Sequence, residues 1–172
     1  MTSAFENIIE RRSIRRYKDV QITREELEQV IRAGVCAPSG QNRQSAIIVA
    51  VQDKDEIAYM SKLNATVMGT NSDPFYGAPT VLVVLAEADS RFAVQDGSLV
   101  MGNLMNAANA IGLGSCWINR AREVFEKEEG KALLKKWGLE GSYVGIGNCI
   151  LGYPDEAPAM KPRKENSVYY IL

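Results

Sequence analysis

A chain of 172 residues is long enough to bury one sizeable core without a disulfide or metal staple. Twenty basic and twenty-one acidic residues leave a formal net charge of −1, so the basic excess typical of nucleic-acid-binding domains is missing. The sequence contains no histidine, which excludes Ser-His-Asp and Cys-His catalysis; if the chain is an enzyme, a bound cofactor is expected to carry its chemistry.

The cysteines and the N-terminus indicate a compartment. Cys36, Cys116 and Cys149 form neither a CxxC nor a CxxxH pattern, so we interpret them as reduced thiols. The first residues lack the apolar run of a signal peptide, and no stretch reaches the roughly 20 apolar residues that span a bilayer. We therefore expect a soluble, cytoplasmic protein without a nucleic-acid or membrane partner.

The first half of the chain predicts two helices that each begin with a Ser/Thr-x-x-Glu capping box, over residues 3–11 and 23–36. Pro38 should end the second helix, because its ring cannot continue one. A polar loop, 38–44, follows. Residues 46–51 are typical of a buried strand, and residues 55–63 of a short helix.

The second half begins with a strand, 80–86, whose run VLVVLA predicts burial on both faces. Residues 91–111 then predict a long helix that is apolar nearly all round. Such a helix belongs in a core or an interface.

Two further strands are predicted over 113–118 and 143–151, with helical patterns between them over 123–137 that Gly130 separates into two pieces. The chain ends in the apolar run 168–172, VYYIL, which would not be stable in water. We expect this run to add a strand to a sheet, in this subunit or in a partner. The mixture of helices and strands indicates an α/β or α+β protein.

Four arginines lie within six residues in the segment Arg11-Arg12-Ser13-Ile14-Arg15-Arg16. In an extended chain alternate side chains share a face, so Arg11, Ser13 and Arg15 would present two guanidinium groups and a hydroxyl together. Guanidinium groups bind phosphate oxygens in bidentate fashion. The alternative is a solvated basic surface at the end of a helix.

Two other polar segments stand out. The loop 38–44, PSGQNRQ, supplies hydrogen-bonding side chains around a glycine that permits close backbone approach, although it could be a plain connector. The segment 160–164, MKPRK, could be a solvated charge run. No P-loop is present and no GxGxxG follows a strand, so a Rossmann or nucleoside-triphosphate site lacks support.

Taken together, RRSIRRY, APSGQNRQ, GLGSCWI and the late KPR resemble the FMN-binding nitroreductase family in order and approximate spacing. The likeness covers the chain from about Phe5 to Arg163. It implies a single nitroreductase-like FMN-binding domain over residues 1–172, an α+β sandwich with a central antiparallel sheet flanked by helices. It also implies a homodimer, with two FMN molecules at the interface, the helix after Arg91 at its centre and the C-terminal tail adding to the partner's sheet.

The resemblance also implies positions around FMN. Residues 11–13 would bind the phosphate and the ribityl end, and Arg15 would lie near the pyrimidine ring. The full set that it places at the cofactor is Arg11, Arg12, Ser13, Arg15, Pro38, Ser39, Gly40, Asn42, Asn71, Trp117, Ile118, Asn119, Lys161 and Arg163. It assigns no separate catalytic side chain and no metal ligand.

Within that set, Lys161 and Arg163 would close on the phosphate from the C-terminal segment. The residues of the 38–42 loop would come from the other subunit. Asn71 would bond the edge of the ring, and residues 117–119 would pack over the ring, with their backbone at its polar edge.

The activity that the resemblance implies is reduction of flat, electron-poor acceptors such as nitroaromatics or quinones. NAD(P)H would reduce the flavin and leave, and the acceptor would then take its place, in two hydride transfers. Relatives with the same fold that dehalogenate, desaturate or cleave flavin remain an alternative, and so does a flavin-binding protein without useful turnover.

The chain also departs from the family pattern. Many members carry a lysine shortly after the Asn71 position, where this chain has Ser72, Asp73 and Pro74. Phe75 and Tyr76 could stack on a flat substrate or belong to the core. The chain is shorter than many members, so we expect the segments that usually cover the substrate to be trimmed.

Overall fold

The computed structural model describes residues 3–172, and its centre is one four-stranded antiparallel sheet. The strands lie in the order β1-β2-β4-β3. Their bounds are β1 Ala46–Val51, β2 Thr80–Glu87, β3 Gly114–Ile118 and β4 Tyr143–Gly152. The α+β architecture predicted from the resemblance is confirmed.

Helices cover both faces of this sheet. Their bounds are α1 Ala4–Glu10, α2 Arg24–Val35, α3 Lys54–Met68, α4 Ala93–Ala110, α5 Ala121–Glu126 and α6 Glu128–Lys136. Both predicted capping boxes form: the Ser3 hydroxyl accepts from the Glu6 amide, and the Thr23 hydroxyl accepts from the Glu26 amide. Each satisfies a backbone donor that a helix N-terminus otherwise leaves unpaired.

The central strand β2 divides the core into two layers. Leu82, Val84 and Ala86 pack with α2 and α4, and the alternate side chains of β2 pack with α3, α5 and α6. Residues 81–86 are fully buried, which confirms the prediction that this strand is covered on both faces. We call the two layers the α4 layer and the α3 layer.

Several boundaries differ from the sequence predictions. Strand β1 is an edge strand and is only half-buried, because β2 pairs with it on one side alone. Helix α3 continues five residues beyond the predicted end, to Met68, where Gly69 adopts a left-handed conformation.

The break between the last two helices lies at Lys127, not at Gly130. Lys127 has extended backbone angles, and Gly130 sits inside α6. A Cβ atom on Gly130 would lie 2.1 Å from the carbonyl oxygen of Val124 in α5. The glycine is therefore required by close helix packing and does not mark a helix end.

The predicted strand over residues 168–172 is absent from the described chain. Residues 157–172 are exposed and have no regular structure, so the tail adds no strand to its own sheet. No helix in residues 3–172 is both long and apolar enough to cross a membrane.

Candidate functional site

The arginine segment lies along the outer edge of β3. Ser13 forms a parallel bridge with Ser115, and the Ile14 amide donates to the Ser115 carbonyl at 2.9 Å. The side chain of Ile14 is buried against Gly114. This apolar anchor fixes the backbone on either side of it, and so holds Ser13 and the preceding arginines at the edge of the sheet.

Arg11 and Arg12 have buried guanidinium nitrogens without a partner. The Nη1 atom of Arg12 donates to the carbonyl oxygens of Ile9 at 2.7 Å and Arg11 at 2.9 Å. The Nη1 atom of Arg11 and the Nε atom of Arg12 are buried and have no hydrogen-bond partner among residues 3–172. An unpaired buried cationic donor is costly, so this pair of donors fits an anionic ligand such as a phosphate.

Arg15 does not share this environment. Its side chain is exposed, and its backbone amide donates to a carboxylate oxygen of Glu156. In the single chain, Arg12 is half-buried together with Arg11, whereas Arg15 is exposed. The reason is local, because the Arg12 guanidinium turns back to the carbonyl groups at the end of α1, where cations are favourable.

The loop 38–44 is held against the start of α4. The Gly40 amide donates to Asp96 Oδ1 at 2.8 Å, and the Ser39 hydroxyl accepts from the Gln44 amide at 3.0 Å. A Cβ atom on Gly40 would lie 2.3 Å from the ring of Phe92, so only glycine fits this close approach. A cavity of about 170 Å³ lies between the loop, β1 and α4.

The two ends of α4 separate these groups within one chain. Near its C-terminal end, the Asn7 side chain of α1 donates to the Asn106 carbonyl at 2.9 Å. Near its start, Asp96 holds the loop. Ten residues of helix span roughly 15 Å. The arginines that follow α1 and the loop at 38–44 are therefore attached to opposite ends of α4.

Asn71 lines a cavity of about 650 Å³ between α3 and the loop 70–79. Its side chain makes no hydrogen bond with residues 3–172. Asp73, near the position where many family members carry lysine, accepts from the Ser61 hydroxyl and from the amides of Phe75 and Gly77. Asp73 therefore fixes the loop.

The two aromatic side chains after Asp73 have different surroundings. Phe75 is fully buried in the α3 layer, so it belongs to the core and does not stack on a substrate. Tyr76 is 44% exposed and has a left-handed backbone.

The predicted ring-packing residues 117–119 form the end of β3 and the residue after it. Trp117 packs in the α4 layer, whereas the side chain of Ile118 is buried in the α3 layer. Asn119 is exposed. Because successive strand residues face opposite sides, Ile118 can reach a ligand at this end of the sheet only through its backbone.

Lys161 and Arg163 make no hydrogen bond with the arginine segment among residues 3–172, although Asp155, earlier in the chain, pairs with Arg16. Lys161 and Arg163 both lie in the exposed tail 157–172. The described chain therefore gathers Arg11, Arg12 and Ser13 beside β3, the strand that also carries Trp117 and Ile118.

Metal ligands and thiols are the remaining reactive groups of the described residues. Residues 3–172 contain no cluster of three or more His, Cys, Asp or Glu side chains that could hold a metal ion. Burial raises the pKa of the Cys149 thiol to about 12, so this side chain does not supply a thiolate near neutral pH. Cys116 is buried as well, and Cys36 is exposed.

Asp96 was missed by the sequence analysis. It is 3% exposed, and it accepts hydrogen bonds from the Gly40 amide and, at 3.4 Å, from the Ser45 hydroxyl. The available signal was a lone acidic residue within the apolar stretch 93–105. A charged residue in such a stretch is rarely buried without a partner.

The comparisons with known proteins agree with this geometry. A family profile described as the Nitroreductase family matches residues 8–73 and 66–153. A protein of Archaeoglobus fulgidus, provisionally named an NADH dehydrogenase/NAD(P)H nitroreductase, is 32% identical over 91% of this chain and 88% of its own.

Two solved structures extend the likeness. A nitroreductase from Bacteroides fragilis with bound FMN is 24% identical, with a TM-score of 0.89 over the whole of both chains. An FMN-dependent nitroreductase from Clostridium difficile is 27% identical, with a TM-score of 0.80 over 99% of this chain and 98% of its own. The chain described here belongs to the nitroreductase family.

Proposed function

We propose that this protein is an FMN-dependent oxidoreductase, a single domain over residues 1–172, that uses NAD(P)H to reduce flat, electron-poor acceptors such as nitroaromatics and quinones. The observation that carries the proposal is the pair of buried, unpartnered nitrogens of Arg11 and Arg12 beside Ser13. The names of the relatives support the cofactor and the donor: bound FMN in the Bacteroides fragilis protein and NAD(P)H in the Archaeoglobus fulgidus protein.

The arginine pair has the chemistry that a flavin phosphate requires. A phosphate monoester offers three oxygens and up to two negative charges, and guanidinium donors match them with short, charge-assisted hydrogen bonds. Ser13 adds a hydroxyl on the same segment. In this proposal Lys161 and Arg163 of the exposed tail complete the phosphate site.

A second copy of the chain is proposed to complete the site. The loop 38–42 and the arginine segment are attached to opposite ends of α4, and an antiparallel two-fold arrangement of two α4 helices would bring one chain's loop to the other chain's arginines. Apolar side chains support this interface: Phe5 and Ile8 of α1 are 74% and 62% exposed, and Leu99 of α4 is 47% exposed.

The tail is assigned to the partner as well. Its apolar end, 168–172, is exposed throughout, and the outer edge of β1 carries no strand among residues 3–172. An unpaired edge of half-buried apolar residues accepts an added strand. We place the partner's tail there.

When bound, FMN supplies the redox chemistry, because it accepts a hydride from NAD(P)H and passes it to an acceptor. The protein's part is to bind and orient. Arg15, exposed beside the phosphate segment, would set a fixed positive charge near the pyrimidine ring, where negative charge collects on reduction. Asn71 would hydrogen-bond the edge of the ring, and the backbone of residues 117–119 would contact its polar atoms. The three free cysteines suit a reducing, cytoplasmic setting.

The test is a visible spectrum of the purified protein, recorded without oxygen before and after addition of NADH or NADPH. We expect a flavin spectrum that bleaches and then returns when a nitroaromatic or a quinone is added. A flavin spectrum that stays after both donors would contradict the NAD(P)H-dependent activity and favour a binding role. Bleaching without return would contradict the acceptor class and favour another reaction of the same fold.

A further inference from the structure

We infer that Asp96 is a positioning residue that fixes the 38–44 loop for the flavin of the partner subunit. The inference rests on the proposed function, because it takes that loop as part of the cofactor site. It goes further by naming a residue outside the cofactor set, on which the loop's geometry depends.

Asp96 has the contacts of a buried anchor. Asp96 is 3% exposed, and its two carboxylate oxygens accept from the Gly40 amide at 2.8 Å and from the Ser45 hydroxyl at 3.4 Å. These donors lie on either side of the loop's tip, so one side chain spans the loop. Asp96 also lies in the first turn of α4, where the helix dipole favours a negative charge.

The loop needs such an anchor because its backbone is strained. Gln41, Asn42 and Gln44 have φ angles of 57°, 54° and 53°, in the left-handed region that non-glycine residues rarely adopt. Strained residues persist where the surrounding structure holds them. Among the described residues, Asp96 is the charged side chain that bonds this loop, and the others that bond it, Ser39 and Asn42, belong to the loop itself.

The position of Asp96 on α4 determines which flavin it serves. Asp96 and the loop lie at one end of the helix, and the arginine segment is attached near the other end. In the proposed dimer, each cofactor takes its arginines from one chain and its loop from the other. Asp96 therefore acts on the cofactor that is bound by its partner's Arg11.

The first experiment measures the FMN dissociation constant of Asp96→Ala and Asp96→Asn by flavin fluorescence. Loss of a charge-assisted anchor predicts that Asp96→Ala binds FMN at least about tenfold more weakly. Asp96→Asn keeps one carbonyl oxygen for the Gly40 amide, so it should recover part of the lost affinity. This second variant also keeps the test decisive if the alanine variant folds poorly.

Glu56→Gln is the matched control. Glu56 is also buried and bonded by two side chains, Lys136 and Trp137, but it lies in the α3 layer and contacts no part of the loop. We expect this variant to melt earlier than the wild type and to keep its FMN affinity. An equal loss of FMN affinity in the control would show that Asp96 affects binding only through the stability of the fold, and would overturn the inference.

The second experiment uses mixed dimers of an Arg11→Ala chain and an Asp96→Ala chain, isolated by two different tags. If Asp96 acts across the interface, one site carries both changes and the other carries neither, so each mixed dimer binds one FMN with wild-type affinity. If Asp96 acts within its own chain, every site carries one change and no wild-type site returns. The second outcome overturns the inference.

Failure of this inference can be told apart from failure of the proposed function. A wild-type protein that takes up no FMN overturns the proposed function, and this inference with it. A wild-type protein that binds FMN, together with an Asp96→Ala variant of unchanged affinity, overturns the inference alone.

Discussion

The outer surfaces of the two helical layers are unlike each other. On the α3 side, the exposed faces of α5 and α6 carry short-range ion pairs, Arg120–Glu123, Arg122–Glu126 and Lys131–Glu128, and none of their large apolar side chains is exposed. On the α4 side, α1 and α4 expose Phe5, Ile8, Val94 and Leu99. The surface of α5 and α6 is therefore suited to water, although α3 exposes Tyr59 and Met68, and the surface of α1 and α4 is suited to a partner.

This difference between the two surfaces indicates where the cofactor site lies. The unpartnered guanidinium nitrogens and the strained loop are both attached to the α4 layer, beside the apolar surface. Burial of apolar surface between two copies would therefore assemble the cofactor site in the same step. The α3 layer, by contrast, borders the cavity lined by Asn71.

The largest effect is expected from charge on the apolar surface. Ile8→Asp with Leu99→Asp should give a monomer without flavin, because two carboxylates cannot be buried in an apolar interface. Sedimentation measures the loss of the dimer, and the visible spectrum measures the loss of the flavin. Ala132→Asp, on the exposed face of α6, is the control and should leave both unchanged. A flavin-loaded monomer from the double variant would break the link between interface and site.

The second-largest effect is expected from removal of two arginines that are proposed to bind the FMN phosphate. Arg11→Ala with Arg163→Ala should weaken FMN binding on the order of a hundredfold or more, because two charge-assisted interactions are lost, and should leave the fold intact. Absorbance of the purified protein measures the occupancy. Arg120→Ala with Arg122→Ala removes the same charge from the α3 side and should keep full occupancy. Full flavin in the first variant would remove phosphate binding from the account.

A moderate effect on stability alone is expected from Glu56→Gln. Loss of charged hydrogen bonds to Lys136 and Trp137 should lower the free energy of unfolding by about 1 to 3 kcal/mol. The hydrogen bond from Lys136, and less strongly that from Trp137, lowers the pKa of Glu56 in the folded protein. The carboxylate's contribution is therefore present above the unfolded pKa of glutamate and is lost as pH falls through the folded pKa.

The pH dependence gives the measurement for this variant. Thermal melts at a series of acidic pH values should show a smaller loss of stability in Glu56→Gln than in the wild type. An equal loss of thermal stability with falling pH in the two proteins would contradict this role for Glu56.

The smallest effect is expected from a change on the exposed surface of α5. Arg122→Ala breaks an exposed i,i+4 pair with Glu126 whose side chains are 64% and 61% exposed. Such pairs contribute only about 0.3 to 0.5 kcal/mol. Urea unfolding should find a decrease of this size in the free energy of unfolding. A decrease several times larger would contradict the small contribution expected of this ion pair.

The sequence predicted local secondary structure better than it predicted features that depend on tertiary packing. The capping boxes at Ser3 and Thr23 and the strand 80–86 were confirmed, because their signals depend on near neighbours. The break at Lys127 was missed, because Gly130 is there to pack against α5 and not to end a helix. The half-burial of β1 depends on its place at the sheet edge, which no local pattern records.

The candidate site was predicted by resemblance more than by pattern. Spacing alone paired Arg11 with Arg15, whereas the backbone turn after α1 buries Arg12 instead. Asp96 could not be found by motif, because its role depends on a loop 56 residues away in the chain. Lys161 and Arg163 lie in an exposed tail, so their place at the phosphate stays a prediction.

The central claim is that two copies of the chain together hold the flavin. Size-exclusion chromatography of the purified protein, with protein and flavin absorbance recorded in line, tests it most directly. We expect one peak of dimer size that carries about one FMN per chain, as for a two-fold symmetric site. A monomer that carries the flavin, or a dimer that takes up none when FMN is supplied, would contradict it.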